Sequence, residues 1–374
     1  MKKIKFFMLA AMAMLVSASF TACSSDSDDT TNNQQKYQDI VRQTVHDQKK
    51  NDKALLLVAF GSTWQVAFDD FDATVKAYKE EFPGYDVYIS FSSAICRNRA
   101  AAGEHKDDPE NPAQVRNYYA PERWLNAFGQ EKYADITVQS LQVIPGEEYG
   151  RVVNALKDFA NNGNNDLDNN YLKTVKLHLG TPLMATGSDD VTQDNDVKKL
   201  AVELDKIYGT KAKEGAMLFM GHGNPDEYDT YSANVRYTQL EKVLQTMNKS
   251  YFVGTVDMME NFKTNVKDRM EAASITTGKV FCAPLMSIAG DHAHNDMAGD
   301  DDGWIENEET GEYEETSWKI YFADTRGGGY TCNDETMIVK GLLYYPAIRQ
   351  LWINHTKEAQ KVDLEWYHSN DGTE

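Results

Sequence analysis

The sequence predicts an α/β protein: parallel sheets flanked by helices, arranged as two units. Three observations predict it. Apolar runs such as Ala54-Leu-Leu-Leu-Val-Ala-Phe60 are continuous rather than alternating, as in strands buried on both faces. These runs alternate with stretches of helical periodicity, and strand–helix alternation implies right-handed crossovers between parallel strands. The rhythm occurs twice, dividing near residue 183, in a chain of 374 residues that suits two domains.

The first unit spans 37–182. After the run at 54–60, a helix is expected from Trp64 to Glu81, stopped by Pro83-Gly84. Strands follow at Asp86 to Phe91 and Ile136 to Val143, then a helix at Glu147 to Asn161 and a strand at Thr174 to Leu179. The second unit, 183–340, places a helix at Asp194 to Tyr208 before a strand at 215–220. A helix at Tyr237 to Met247 precedes a strand at 251–256, and a helix at Asn261 to Ala273 leads to a strand at 279–283. The remainder, 341–374, holds a helix at Leu342 to Lys357, expected to pack back on the first unit, and a tail. Two segments read as insertions: Glu104 to Asn126, with Pro109, Pro112 and Pro121 around Tyr and Trp residues, and the acidic Asp300 to Glu315.

The N-terminus is a leader rather than part of the fold. Lys2, Lys3 and Lys5 precede an apolar stretch from Phe6 to Ala18, and Phe20-Thr-Ala-Cys23 closes it, the layout of a bacterial lipoprotein signal with Cys23 as the acylated residue. Residues 24–36 begin SSDSDDTTNNQQ, offer nothing apolar to bury, and are expected to be a disordered tether. The expected address is therefore the cell envelope, at the periplasmic face or the outer-membrane surface. Without the leader's three lysines the chain carries 35 basic and 58 acidic residues, a formal charge of −23. That balance argues against nucleic-acid binding, which needs a basic footprint. Cys96, Cys282 and Cys332 show no metal-site spacing, and Cys282 inside a strand reads as a small buried hydrophobe.

Two histidines carry the chemical signal. Ala216-Met-Leu-Phe-Met220 runs into Gly221-His222-Gly223, and the apolar run from Val280 ends at Ala289-Gly-Asp-His292-Ala293. A third run, Tyr251 to Val256, ends at Asp257. Parallel strands gather their C-terminal ends along one edge, where ligands bind. Two imidazoles and a carboxylate there could hold a divalent ion such as Co²⁺, Fe²⁺, Ni²⁺ or Zn²⁺. The bland alternative is loop polar groups that satisfy backbone, with Asp257 as an N-cap. Phe60-Gly61-Ser62-Thr63 could hold an anion through backbone N–H groups, but it is no P-loop. Asp300 to Glu309 resembles part of a calcium loop whose first ligand position is Ala298, so it reads as a solvated acidic loop. No Gly-x-Ser-x-Gly elbow marks a serine hydrolase. His46, His105, His178, His355 and His368 have no motif around them.

These residues together resemble the anaerobic sirohydrochlorin cobaltochelatases, class II tetrapyrrole chelatases of the CbiK type. The resemblance rests on Ala59-Phe-Gly-Ser-Thr63, Val138-Gln139, Ile144-Pro-Gly-Glu-Glu-Tyr149 and Leu179-Gly-Thr-Pro-Leu183. It continues through Met220-Gly-His-Gly223, Val253-Gly-Thr-Val256, Pro284-Leu-Met-Ser-Ile-Ala-Gly-Asp-His-Ala293 and Asn295-Asp-Met-Ala-Gly299.

The resemblance implies two flavodoxin-like domains with a tetrapyrrole between them. It implies a metal site at His222, Asp257 and His292, the same residues serving catalysis, with Asp257 one methylene shorter than the family's glutamate. Phe60, Gly61, Ser62, Thr63, Gln142 and Gly223 are implied tetrapyrrole contacts, and Gln142 stands where relatives often carry histidine. His294 is an extra imidazole beside the site. The implied reaction inserts Co²⁺, or Fe²⁺, into sirohydrochlorin. The implied partners are the tetrapyrrole, a membrane through the Cys23 lipid, and a second copy of the chain. An alternative keeps the scaffold as an envelope lipoprotein that captures haem or another tetrapyrrole, or removes its iron.

Overall fold

The structure, a computed structural model, describes residues 31–103, 115–225, 228–229, 231–300 and 316–359. The leader with Cys23, most of the tether, and nearly all of the acidic insertion lie outside the described residues. So do His105 and His368.

The chain begins with α1 (Thr31–Gln48), then β1 (Lys53–Ala59), α2 (Gln65–Glu81), β2 (Asp86–Phe91), α3 (Ala94–Ala102) and α4 (Pro121–Gln130). Next come β3 (Asp135–Ser140), α5 (Glu147–Ala160), the single turn α6 (Asn169–Leu172) and β4 (Lys176–Gly180). The second half contains α7 (Asp196–Glu214), β5 (Gly215–Gly221), α8 (Val235–Met247), β6 (Tyr251–Thr255), α9 (Lys263–Ala272) and β7 (Lys279–Leu285). The short α10 (Trp318–Ala323) and the closing α11 (Pro346–Ala359) end the described chain.

All pairings between these strands are parallel, and they form two sheets of order β2-β1-β3-β4 and β6-β5-β7. The order 2-1-3-4 is that of a doubly wound α/β sheet, and the second sheet repeats its first three steps. β1 shows why the runs are continuous. Ala54 to Ala59 are all fully buried, with Leu55, Leu57 and Ala59 feeding one apolar cluster and Ala54, Leu56 and Val58 the other.

β5 divides the same way, and its Met217 and Phe219 join the cluster that holds Leu55 and Leu57. That shared cluster also takes in Leu183 and Met184, both fully buried, so the division near 183 is packed core and not a linker. α11 lies against β3, β4 and α7. Gly180 allows the close approach of Gln139, whose amide oxygen would sit 1.9 Å from a Cβ at that position. Gln139 is buried but satisfied: its nitrogen donates to the Ser140 and Thr181 carbonyls, and its oxygen accepts from Thr356 at 2.7 Å.

The outer edge of β6 is also satisfied by side chains. The Val253 amide donates to Glu241 at 2.7 Å, and its carbonyl accepts from Arg269 at 2.8 Å. Arg269 in turn grips Glu241 with two nitrogens, at 2.9 and 3.1 Å, a forked pairing that fixes both side chains.

Several expectations are corrected. The tether assigned to 24–36 is helical from Thr31, where α1 starts; the apolar residues Val41 and Val45 bury this helix against the first unit. Of the segment 104–126 read as an insertion, residues 104–114 lie outside the described residues, and 121–126 are the first part of α4, because proline at the first helical position starts a helix that it would break further in. α3 was also unforeseen; Ser93 caps it by accepting from the Cys96 amide. α7 continues past Tyr208 to Glu214, since one glycine, Gly209, costs less than the packing of Ala212 returns.

A buried ion pair ties α11 to the start of α7. His355 Nε2 lies 3.2 Å from Asp196 Oδ1, while Asp196 Oδ2 accepts from the Thr186 amide and hydroxyl at 2.9 and 2.7 Å. Burial disfavours the Asp196 charge, but the bonds from His355 and Thr186 outweigh it and hold its pKa at about 2. For His355 burial opposes the proton, yet Asp196 outweighs that and raises the pKa above the usual imidazole value. The histidine's contribution is therefore present below its unfolded pKa of roughly 6.5 and is lost as pH rises through the higher folded value. The aspartate's contribution is present above its unfolded pKa and is lost only as pH falls toward 2. His355→Ala should destabilise the protein by about 3 kcal/mol at pH 6, because it takes from buried Asp196 its nearest charge partner and leaves only Thr186 and the more exposed Lys199, 3.6 Å away. In urea unfolding, that difference should narrow as the buffer is taken above the folded pKa of His355; a constant difference would contradict the assignment.

Candidate active site

Parallel register sets the site. Gly221 at the end of β5 pairs with Thr255 on β6 and Leu285 on β7, so the loops after all three strands leave the sheet at one level. His222 follows β5 directly. The Val256 and Asp257 amides both donate to its carbonyl, at 3.1 and 2.9 Å, drawing the β6 loop onto it. Gly223 has φ +80°, a conformation open to glycine, and a Cβ there would lie 3.0 Å from the Met258 nitrogen. Its amide donates to Tyr237 at 3.2 Å.

His292 arrives from the loop after β7 and enters a π turn over Ala293–Met297, a form often found at functional sites. The imidazoles of His222 and His292 meet edge to face, 4.8 Å between centroids at 86°. Both side chains are about half exposed.

Each ring is held at Nδ1. His222 Nδ1 faces the Gly223 carbonyl at 2.8 Å and Asp257 Oδ2 at 3.3 Å. Two acceptors there place the proton on Nδ1 and leave Nε2 with its lone pair. His292 Nδ1 pairs with Asp296 Oδ2, one turn on. Partial burial works against the charged His292 ring, but the Asp296 hydrogen bond and the charges of Asp296, Asp257 and Asp291 outweigh it and raise its pKa. Neither Nε2 has a protein partner among the described residues.

This is the arrangement in which a carboxylate orients a histidine and sharpens its basicity toward a metal. Asp257 thus stands against the ring of His222. Among the described residues, no three His, Cys, Asp or Glu side chains converge as a ready-made cage for an ion.

The first unit supplies the opposite wall. Phe60 is exposed beside Gly61, whose φ of +113° and whose Cβ position, 2.7 Å from the Phe91 ring, both demand glycine. Ser62 and Thr63 are buried. Ser62 Oγ lies 3.7 Å from where a Cβ on Gly290 would stand, so this loop runs against the His292 segment. Gln142 is not joined to the histidines by contact. Its carbonyl accepts from Trp352 and the Leu183 amide, its oxygen pairs with Ser140, and its Nε2 is buried without a partner. His294 is stacked on Trp64, 3.5 Å between centroids at 5°, and does not join the other two imidazoles. Cys23 lies outside the described residues.

One residue that the sequence did not single out belongs to the site. Glu148, in the first turn of α5, accepts from Ser92 Oγ at 2.9 Å and lies 3.3 Å from Arg151. Burial raises its pKa; Arg151, Ser92 and the nearby His222 pull the other way without cancelling that effect. The start of α5 is docked on the His222 loop, with the Glu147 amide donating to Asn224 Oδ1 at 3.4 Å. Chemically the site offers two imidazole Nε2 atoms without a protein partner among the described residues, a carboxylate at Nδ1 of each ring, and a carboxylate of raised basicity near His222.

The chain matches the family model described as cobalt chelatase (CbiK) over residues 53–361. It is 26% identical over 307 residues to sirohydrochlorin cobaltochelatase CbiKC of Nitratidesulfovibrio vulgaris, covering 82% of this chain and 90% of that one. It is 25% identical over 319 residues to the sirohydrochlorin cobaltochelatase of Salmonella typhimurium, covering 84% and 98%. Among solved structures it is similar to SirB from Bacillus subtilis with Fe³⁺, at 14% identity and a TM-score of 0.46, covering 82% and 95%.

The geometry predicts a graded response to substitution. Asp257→Asn should weaken Co²⁺ binding about 10–100-fold, the usual cost of losing a ligand's orienting partner. His222→Ala should remove it. A visible-absorption titration with Co²⁺ reads both, and equal losses in the two variants would make Asp257 a direct ligand.

Proposed function

The chain belongs to the cobalt chelatase (CbiK) family, and on that footing we propose that it inserts a divalent metal, Co²⁺ first and Fe²⁺ second, into sirohydrochlorin. The observation that supports this reading best is the facing pair His222 and His292, each braced at Nδ1 by a carboxylate. The metal here is a substrate, passed from protein nitrogens to macrocycle nitrogens, and Nε2 of each ring presents it. Imidazole suits the borderline ions of this series, so Ni²⁺ and Zn²⁺ are competing cargoes.

Insertion releases two pyrrole N–H protons for each metal taken up. Glu148 is the proposed acceptor of each in turn, passing the first to solvent before the second leaves: a carboxylate whose pKa is raised by burial takes a proton more readily than an ordinary one. Ser92 and Arg151 hold it in place, and the Arg151 charge favours its ionised form without cancelling the effect of burial. Phe60 and the 61–63 loop are the proposed seat for the macrocycle, with the exposed Phe60 ring against its face. Two relatives similar over most of the chain carry a chelatase name, and no observation favours a protein that only captures haem. The proposed address is the cell envelope, through a lipid on Cys23, a reading supported by the composition of residues 1–23.

Anaerobic absorbance with sirohydrochlorin and Co²⁺ tests the proposal. Insertion should exceed the uncatalysed rate and vanish in the His222→Ala/His292→Ala double variant; a spectrum that shifts on binding without turnover would sink it. Since Glu148 must be ionised to accept a proton, kcat should fall as pH drops through its raised pKa. Glu148→Gln should lower kcat about 10²-fold and abolish that acid limb, and an unaltered profile would assign the proton to another group.

A further inference from the structure

One indole from the first unit grips the chain on both sides of His292. Trp64 ends the loop after β1, and its backbone is fixed by the start of α2: its carbonyl accepts from the Ala67 and Phe68 amides at 3.1 and 3.3 Å. Its own amide donates to Ser62 Oγ at 3.2 Å. From that anchor its Nε1 donates to Asp291 Oδ1 at 2.7 Å, and its ring lies flat on His294, 3.5 Å between centroids. Asp291 is the residue before His292, and His294 stands two beyond it. A hydrogen bond fixes direction and a stack fixes a plane, so together they leave the intervening residue little freedom.

The His292 ring itself is held by Asp296, which belongs to the same turn and so cannot locate that turn against the rest of the molecule. Trp64 grips that turn from across the junction.

We propose that Trp64 is a positioning residue for metal delivery, setting His292 at its 4.8 Å approach to His222 from the opposite half of the molecule. The inference rests on His292 presenting the metal. It makes the pair of imidazoles a property of two units held together, since His222 is fixed by β5 and His292 partly by the loop after β1. A misplacement of about 1 Å at such a site can cost about 10² in rate.

The test compares wild type, Trp64→Phe and Trp64→Ala in steady-state Co²⁺ insertion, with hydrogen–deuterium exchange of residues 288–297 followed in parallel. Trp64→Ala should lower kcat about thirtyfold while the KM for the tetrapyrrole stays within about threefold, with the melting temperature little changed. Exchange across 288–297 should rise in the same variant. Trp64→Phe keeps the stacking face and loses the bond to Asp291, so it should fall between the two, and it decides the matter if the alanine variant does not fold. An unchanged kcat with unchanged exchange overturns the proposal, as does a rise in KM that accounts for the whole loss. Exchange is read on the substrate-free protein. A wild type that inserts no metal would therefore defeat the chelatase reading, while exchange alone would still support or overturn the Trp64 grip.

Discussion

The parallel pairing of β5 with β6 and β7 is the constraint on which the site depends. In a parallel sheet every strand ends at the same edge, so residues far apart in sequence are delivered to one place. Gly221, Thr255 and Leu285 are register partners, and the loops that leave them carry His222, Asp257 and His292. No long-range contact has to be built between these side chains for them to meet. The backbone ladder does it, and side-chain bonds then refine the distance: the two amides on the His222 carbonyl for Asp257, and the π turn for His292.

The second requirement is that two sheets act as one body. The apolar cluster that contains Leu55 and Leu57 of the first sheet also contains Met217 and Phe219 of the second, and the helices between them carry it without a break. Polar contacts at the junction work on top of that continuity. Asn224 meets the start of α5, Trp64 meets Asp291 and His294, and Tyr149 lies edge-on to Tyr231 at 5.8 Å. A tetrapyrrole chelatase has to hold a flat acidic substrate against its metal donors, and a rigid frame lets small displacements matter. Charge is arranged to suit: carboxylates stand behind both imidazoles, so the site favours a cation before any macrocycle arrives.

The strands and the two histidines were legible because their signal is local. A continuous apolar run ending in Gly-His-Gly or Gly-Asp-His marks a strand end wherever it occurs. Glu148 was not legible. It sits beside Glu147 in a first helical turn, where acidic residues are ordinary, and only the fold turns one of the two toward Ser92 and His222. Asp296 leaves a faint trace in the sequence, four residues after His292 and therefore on the same side of a helical turn. Pro121 misled because proline was read as a loop marker where it opens α4. His355 showed no motif because its partner, Asp196, lies 159 residues away and only tertiary packing brings the two together.

The Glu241–Arg269 fork on β6 has a consequence for how molecules of this protein meet one another. An edge strand normally offers unpaired amides and carbonyls that a strand from a second molecule can zip onto. At Val253, the middle of the five-residue β6, both groups are already taken by charged side chains of the same chain. Sheet-to-sheet association through that edge would have to break a forked ion pair and strand two charges. Copies of the folded chain therefore find this border of the second sheet closed to cross-strand pairing, the contact that leads to aggregates.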